Sequence, residues 1–127
     1  MVRDRQSSDN DKPFVDIVMT LSTHEPFIIL EGQEKYEQKA REIFEKANVK
    51  NTKEKNIIQK NMNVFACYLY MDECINELIN SYKKMGKYDN TIFIITGDHR
   101  MGMLNTGSTL RSFNVPLLIH SPVLNKN

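Results

Sequence analysis

The 127-residue chain is short of nearly every feature that marks a specialised class of protein. It has only two cysteines. Cys67 and Cys74 fall in a segment with helical spacing, so they stand about 10 Å apart at ~1.5 Å rise per residue. A disulfide needs Cα atoms within about 7 Å. Nor do the two cysteines show the C-x-x-C spacing of a structural zinc site. Both are expected to serve as small apolar side chains on a buried helix face, and they indicate no cellular compartment. No sign of charge dominates: 17 Lys and Arg balance 16 Asp and Glu, for a net +1. That leaves no reason to expect a nucleic-acid partner or an acidic tail. No apolar run approaches the roughly 18–20 residues of a membrane span. The opening MVRDRQSSDNDKP lacks an apolar h-region and does not read as a signal peptide. There is no internal repeat and no low-complexity tract. Collagen-like, coiled-coil, membrane-spanning and disulfide-scaffold classes are excluded.

What is present suits one small domain with a real core, since 40% of residues are apolar and 26% charged. Residues 1–12 read as a leader or linker, and 13–127 as the folded part. The run 14–20 is mostly apolar and predicts a strand, followed by the polar, proline-broken loop Ser22-Thr23-His24-Glu25-Pro26. Tyr36, Ala40, Ile43, Phe44 and Ala47 predict a helix over 34–47. A longer helix is expected over 55–85, with Val64, Cys67, Tyr68, Met71, Cys74, Ile75, Leu78 and Tyr82 on one face. Lys83 and Lys84 suit the negative end of its dipole, and Gly86 suits the position just past its end. The unbroken apolar run 91–96 predicts a strand covered on both faces. A final strand is expected over 115–120, with Pro116 near its start. This order predicts an α/β fold with a largely parallel sheet and flanking helices. Three strands are few for such a sheet and point to a partial one.

Ligands of open α/β sheets bind beyond the carboxyl ends of the strands. Two polar clusters fall there: Ser22-Thr23-His24-Glu25 and Gly97-Asp98-His99-Arg100. An Asp and a His at a strand end can both ligate a divalent metal, and the glycine lets the backbone turn sharply beside them. By spacing alone, Asp98 and His99 read equally as a turn-capping carboxylate and a surface imidazole.

The surrounding residues carry a resemblance. Tyr70-Met71-Asp72-Glu73-Cys74-Ile75, followed by Tyr88-Asp89-Asn90-Thr91-Ile92-Phe93-Ile94-Ile95-Thr96-Gly97-Asp98-His99, closely resembles the sulfatase branch of the alkaline phosphatase superfamily. Within that branch it is most similar to the lipoteichoic acid synthase-like phosphoglycerol transferases. Lys12-Pro13-Phe14 with Leu21-Ser22-Thr23-His24-Glu25-Pro26-Phe27 resembles the family's "KPFF…TLTNHxPF" strand and loop. Asn114-Val115-Pro116-Leu117-Leu118-Ile119-His120-Ser121-Pro122 resembles its "RVPLxIxxP" strand. The three matches come in the family's order.

The resemblance implies a fragment of an alkaline phosphatase-like sandwich. It implies that Asp98 and His99 are two ligands of a catalytic divalent metal (Mn, Mg, Ca or Zn), and that His24 contacts the phosphate or sulfate of an ester substrate. Arg100 departs from the family's usual Gly or Tyr. It would bind the anionic substrate bidentately or pair with Glu25 or another acid. His120 falls where the family varies and is expected to be a packed or edge histidine, and Arg111 receives no role. The family's nucleophile, a threonine or a modified Cys/Ser in C/S-x-P-x-R, belongs to an N-terminal half together with a further carboxylate ligand, and this sequence contains no C/S-x-P-x-R. The chain is therefore expected to be the C-terminal part of a catalytic domain. Its parent would be a membrane-anchored, extracytoplasmic enzyme acting on esters of envelope lipids or glycans. The chain alone would be soluble and catalytically silent, partnered by the missing half or by a second copy of itself. Two other classes stand beside this reading: a non-catalytic α/β binding module and a degenerate pseudoenzyme. A receiver-like module would need an acidic pair after the first strand and a late lysine, and Thr23-His24 and His120-Ser121 supply neither.

Overall fold

The computed structural model describes residues 13–100 and 113–124. The expected leader 1–12 and the loop 101–112, with Arg111, lie outside the described residues. The elements run α1 (Gln33–Ala47), α2 (Thr52–Lys60), α3 (Met62–Lys84), a 3-10 turn (Tyr88–Asn90), β1 (Phe93–Thr96) and β2 (Leu117–His120). The chain forms two compact units, residues 1–68 and 69–127.

In the first unit, α1 begins after Gly32, whose φ of 77° is left-handed backbone that a glycine adopts without strain. The Gln33 side chain accepts from Ile29 N–H at 3.3 Å and donates to Glu37 at 2.9 Å, tying the helix start to the preceding segment. Asn48 ends the helix at φ 46°, a conformation Asn tolerates better than most residues. Three residues later Asn51 caps α2, its side chain accepting from the Lys53 and Glu54 amides. The expected long helix is therefore two. Asn61 divides them: its backbone leaves the helical region at φ −122°, and its amide group donates back to Ile57 O at 2.7 Å. An Asn that bonds the local backbone competes with continued helix, and here that competition wins. Buried in this unit are Phe27, Ile29, Tyr36, Ala40, Met62, Val64, Ala66 and Cys67.

The segment 14–20 forms no regular element, contrary to the strand its composition predicts. Val15, Ile17 and Met19 are more than 80% exposed. Apolar, β-branched composition favours a strand only where a second backbone offers a ladder. Among the described residues the single ladder is β1 with β2.

In the second unit α3 ends as its sequence indicates. Gly86, at φ 66°, donates its N–H to Lys83 O, and Lys87 N–H reaches back to Tyr82 O at 3.0 Å. This paired closure satisfies the last carbonyls of the helix. The 3-10 turn consumes Thr91, whose N–H bonds Tyr88 O and whose hydroxyl bonds Lys87 O. The strand accordingly begins two residues late, at Phe93.

The α/β class holds, with a sheet of two strands among the described residues. The expected parallel arrangement does not: β1 and β2 are antiparallel, with Phe93 opposite His120 and Thr96 opposite Leu117. A parallel pair needs a crossover that returns the chain to the far end of the sheet. Here the end of β1 lies beside the start of β2, the arrangement of an antiparallel pair. Coverage differs from expectation as well. Phe93 is buried while Ile94 is 64% exposed, so β1 buries one face only. That face carries an aromatic cluster. Tyr82 meets Phe93 edge-on with ring centres 5.2 Å apart, and the Tyr88 and His120 rings lie about 6 Å from Phe93. The Tyr88 hydroxyl and His120 Nε2 are hydrogen-bonded at 2.9 Å. His120 is the packed histidine that the sequence suggested.

Both cysteines are free, as their spacing requires. Cys67 is fully buried, and burial, followed by the negative charge of Glu37, pushes its thiol above the ordinary value of 9.0. The folded chain then keeps a proton that the unfolded chain loses. The associated stability is fully present below pH 9.0 and is lost as pH rises from there towards the folded value. Urea unfolding followed from about pH 8 to about pH 10.5 should show a steeper alkaline loss for the natural chain than for Cys67→Ala; parallel profiles would contradict this. At Gly86 a Cβ would meet nothing within 4 Å, so Gly86→Ala tests backbone strain alone. It is expected to cost about 1 kcal/mol in thermal unfolding, and Gly86→Asn less.

Candidate metal and anion site

The site grows from the carboxyl end of β1. Thr96 is the last paired residue, facing Leu117. Its hydroxyl donates across the strands to Pro116 O at 2.9 Å. Gly97 follows, where a Cβ would make ordinary contact with Val115 Cγ1 at 3.4 Å. The chain then bends through Asp98 and His99.

Asp98 Oδ1 accepts the His99 backbone N–H at 2.9 Å. Its other oxygen, Oδ2, lies 3.6 Å from His99 Nε2. His99 Nδ1 is 2.8 Å from Arg100 O. A carbonyl can only accept, so Nδ1 carries the proton and Nε2 of the neutral ring presents its lone pair. Metal-binding histidines are oriented in this way, with one ring nitrogen donating to a carbonyl and the other free to ligate. Two ligand atoms each about 2.1 Å from a shared tetrahedral cation stand about 3.4 Å apart. The 3.6 Å between Oδ2 and Nε2 and the oxygen-plus-imidazole donor set therefore fit a divalent cation. Asp98 is 81% and His99 53% exposed, so both donors are accessible. As an ion pair so exposed they would contribute little to stability.

The structure brings Asp98, His99 and Arg100 together in one turn, with Arg100 half-buried. Among the described residues no group of three His, Cys, Asp or Glu side chains converges as a metal site.

His24 belongs to the first unit. It sits in the tight loop after residue 21, where its N–H bonds Leu21 O at 3.0 Å and its carbonyl accepts from Phe27 N–H at 2.8 Å. Its Nδ1 donates to Glu25 O at 2.9 Å, which again leaves Nε2 outward on an exposed ring. Both candidate histidines are thus held through Nδ1 by a carbonyl one residue ahead. Thr96 is the residue at this site whose part the sequence reading did not anticipate. The available signal was a hydroxyl-bearing residue at the end of one strand with a proline at the start of the next.

A family model described as "Sulfatase" matches residues 3–127. The chain belongs to the sulfatase family. That family is in general metal-dependent and acts on sulfate or phosphate esters. Among curated proteins the chain is similar to "Lipoteichoic acid synthase" of Staphylococcus aureus strains USA300 and NCTC 8325 / PS 47. Each is 34% identical over 87 residues, which are 68% of this chain and 11% of the relative. The match therefore spans about a tenth of those relatives. No solved structure matches. No helix of the described residues is long and apolar enough to cross a membrane.

Long-range 1H–15N spectra of the imidazoles should show Nδ1 as the protonated nitrogen in neutral His99 and neutral His24. An Nε2-protonated pattern at His99 would remove the lone pair that the metal reading requires.

Proposed function

We propose that this chain is part of the catalytic domain of a metal-dependent sulfatase-family enzyme, either a phosphoglycerol transferase or a sulfate-ester hydrolase of envelope lipids or glycans. The observation that carries the proposal is the Asp98–His99 pair at the end of β1, with Oδ2 and Nε2 at 3.6 Å and Nδ1 held by the Arg100 carbonyl. The family match and the lipoteichoic acid synthase relatives support the same reading. Asp98 and His99 would hold a divalent cation, Mn, Mg, Ca or Zn, which when bound neutralises charge on the ester and lowers the pKa of a nucleophile. His24, its Nδ1 committed to Glu25 O, would bind the anion through Nε2, donating from it as the imidazolium. The Arg100 guanidinium, in the other unit, would bind an anionic group bidentately. These side chains bind and orient. The nucleophile and the remaining metal ligand would come from the rest of a membrane-anchored, extracytoplasmic protein.

Two consequences can be measured. The isolated chain should show no turnover of aryl phosphates, aryl sulfates or phosphoglycerol lipids above a metal-only control, and should bind Zn²⁺ or Mn²⁺ only weakly. In the full-length protein, Asp98→Ala and His99→Ala should each lower kcat by at least about a hundredfold. His24→Ala should raise KM about tenfold or more. Turnover by the isolated chain that disappears in Asp98→Ala would show a complete site within these residues and would refute the partial-domain reading.

A further inference from the structure

We propose that Thr96 is a positioning residue: its hydroxyl closes the β1–β2 ladder at Pro116 and so fixes the turn that presents Asp98 and His99. The inference rests on the reading of those two residues as cation ligands.

The register makes Gly97 and Pro116 the next opposed pair after Thr96 and Leu117. Proline has no N–H, so residue 116 has no backbone donor to offer a further pair. The Pro116 carbonyl is taken up instead by the Thr96 side chain at 2.9 Å. The last paired residue thus bonds the partner strand through its side chain, with the Pro116 carbonyl the nearer acceptor and Gly97 O at 3.3 Å the farther. Gly97 follows the last paired residue directly and lies beside Val115.

Nothing within the ligand pair performs this task. Asp98 and His99 are exposed, and their mutual attraction is weak in water. The bonds His99 N–H to Asp98 Oδ1 and His99 Nδ1 to Arg100 O orient the side chains relative to their own backbone. They do not fix where that backbone begins. The hydroxyl–carbonyl bond at the strand end does. Valine has nearly the shape and strand preference of threonine and lacks only the hydroxyl. Serine keeps the hydroxyl.

The test is a Zn²⁺ titration of the full 127-residue chain and its Thr96→Val, Thr96→Ser and Asp98→Ala variants. It is read by calorimetry and, independently, by the 15N shifts of the His99 ring. Thr96→Val should weaken binding about five- to tenfold, as expected for one lost hydrogen bond acting on the site. Thr96→Ser should restore it to within about twofold, and Asp98→Ala should abolish it. Cross-strand amide contacts between Ile94 and Ile119, which are register partners, report whether the strand pair survives. Unchanged affinity in Thr96→Val, with binding lost in Asp98→Ala, would overturn the role of Thr96 and leave the metal reading intact. Unchanged affinity in Asp98→Ala would overturn the metal reading and this inference with it. Loss of the Ile94–Ile119 contacts in Thr96→Val would show that the hydroxyl holds the whole pair together, and would overturn a role confined to the turn.

Discussion

Pro116 cannot donate a hydrogen bond, and the β1–β2 ladder stops in front of it. β2 begins at the next residue, Leu117, opposite Thr96 at the end of β1, and Gly97 emerges first from the sheet. Four register pairs precede it, from Phe93 with His120 to Thr96 with Leu117. At the far end the ladder is anchored by aromatic contacts; at the near end it is closed by a hydroxyl. The turn with the carboxylate and the imidazole leaves from the closed end. The candidate site is thus a consequence of how a short strand pair terminates.

Two strands of four residues are marginal by themselves. The aromatic cluster supplies much of what the pairing lacks. An edge-on aromatic pair contributes roughly 0.5–1.5 kcal/mol beyond its buried area, and a Tyr–His hydrogen bond on the order of 1 kcal/mol. Tyr82 on α3, Tyr88 in the 3-10 turn, Phe93 on β1 and His120 on β2 converge here. Helix end, turn and strand pair are therefore coupled through a few rings. The Lys83 ammonium, 4.9 Å above the Tyr88 ring, adds a cation–π contact at the same point.

Much of the local structure was legible in the residues. The spacing of Tyr36 and Ala40 located α1, and Gly86 located the end of α3, because both reflect interactions within a few residues. The cysteines were free, because seven helical residues separate them by more than a disulfide can span, and of the two expected on a buried face Cys67 is buried and Cys74 half-buried. The break at Asn61 was missed. The apolar spacing continues through it, while its backbone leaves the helical region and its side chain bonds Ile57 O. The strand expected over 14–20 failed for the opposite reason. Its composition is right, but strand formation depends on a second backbone, which the segment does not itself encode.

The sequence by itself determined the family, through motifs whose order and residue types resemble it, and that resemblance singled out Asp98, His99, His24 and Arg100 as candidates. It also determined the end of α3 at Gly86, because capping is a matter of neighbouring residues. Tertiary structure alone decided strand direction, since 91–96 and 115–120 are equally compatible with parallel and antiparallel pairing until their ends are placed. It decided the tautomers suggested for His99 and His24, because a ring nitrogen is assigned its proton by the carbonyl it meets. It decided that Thr96 and Pro116, twenty residues apart, share one hydrogen bond, since residue type states what a side chain can donate and only the fold supplies the acceptor.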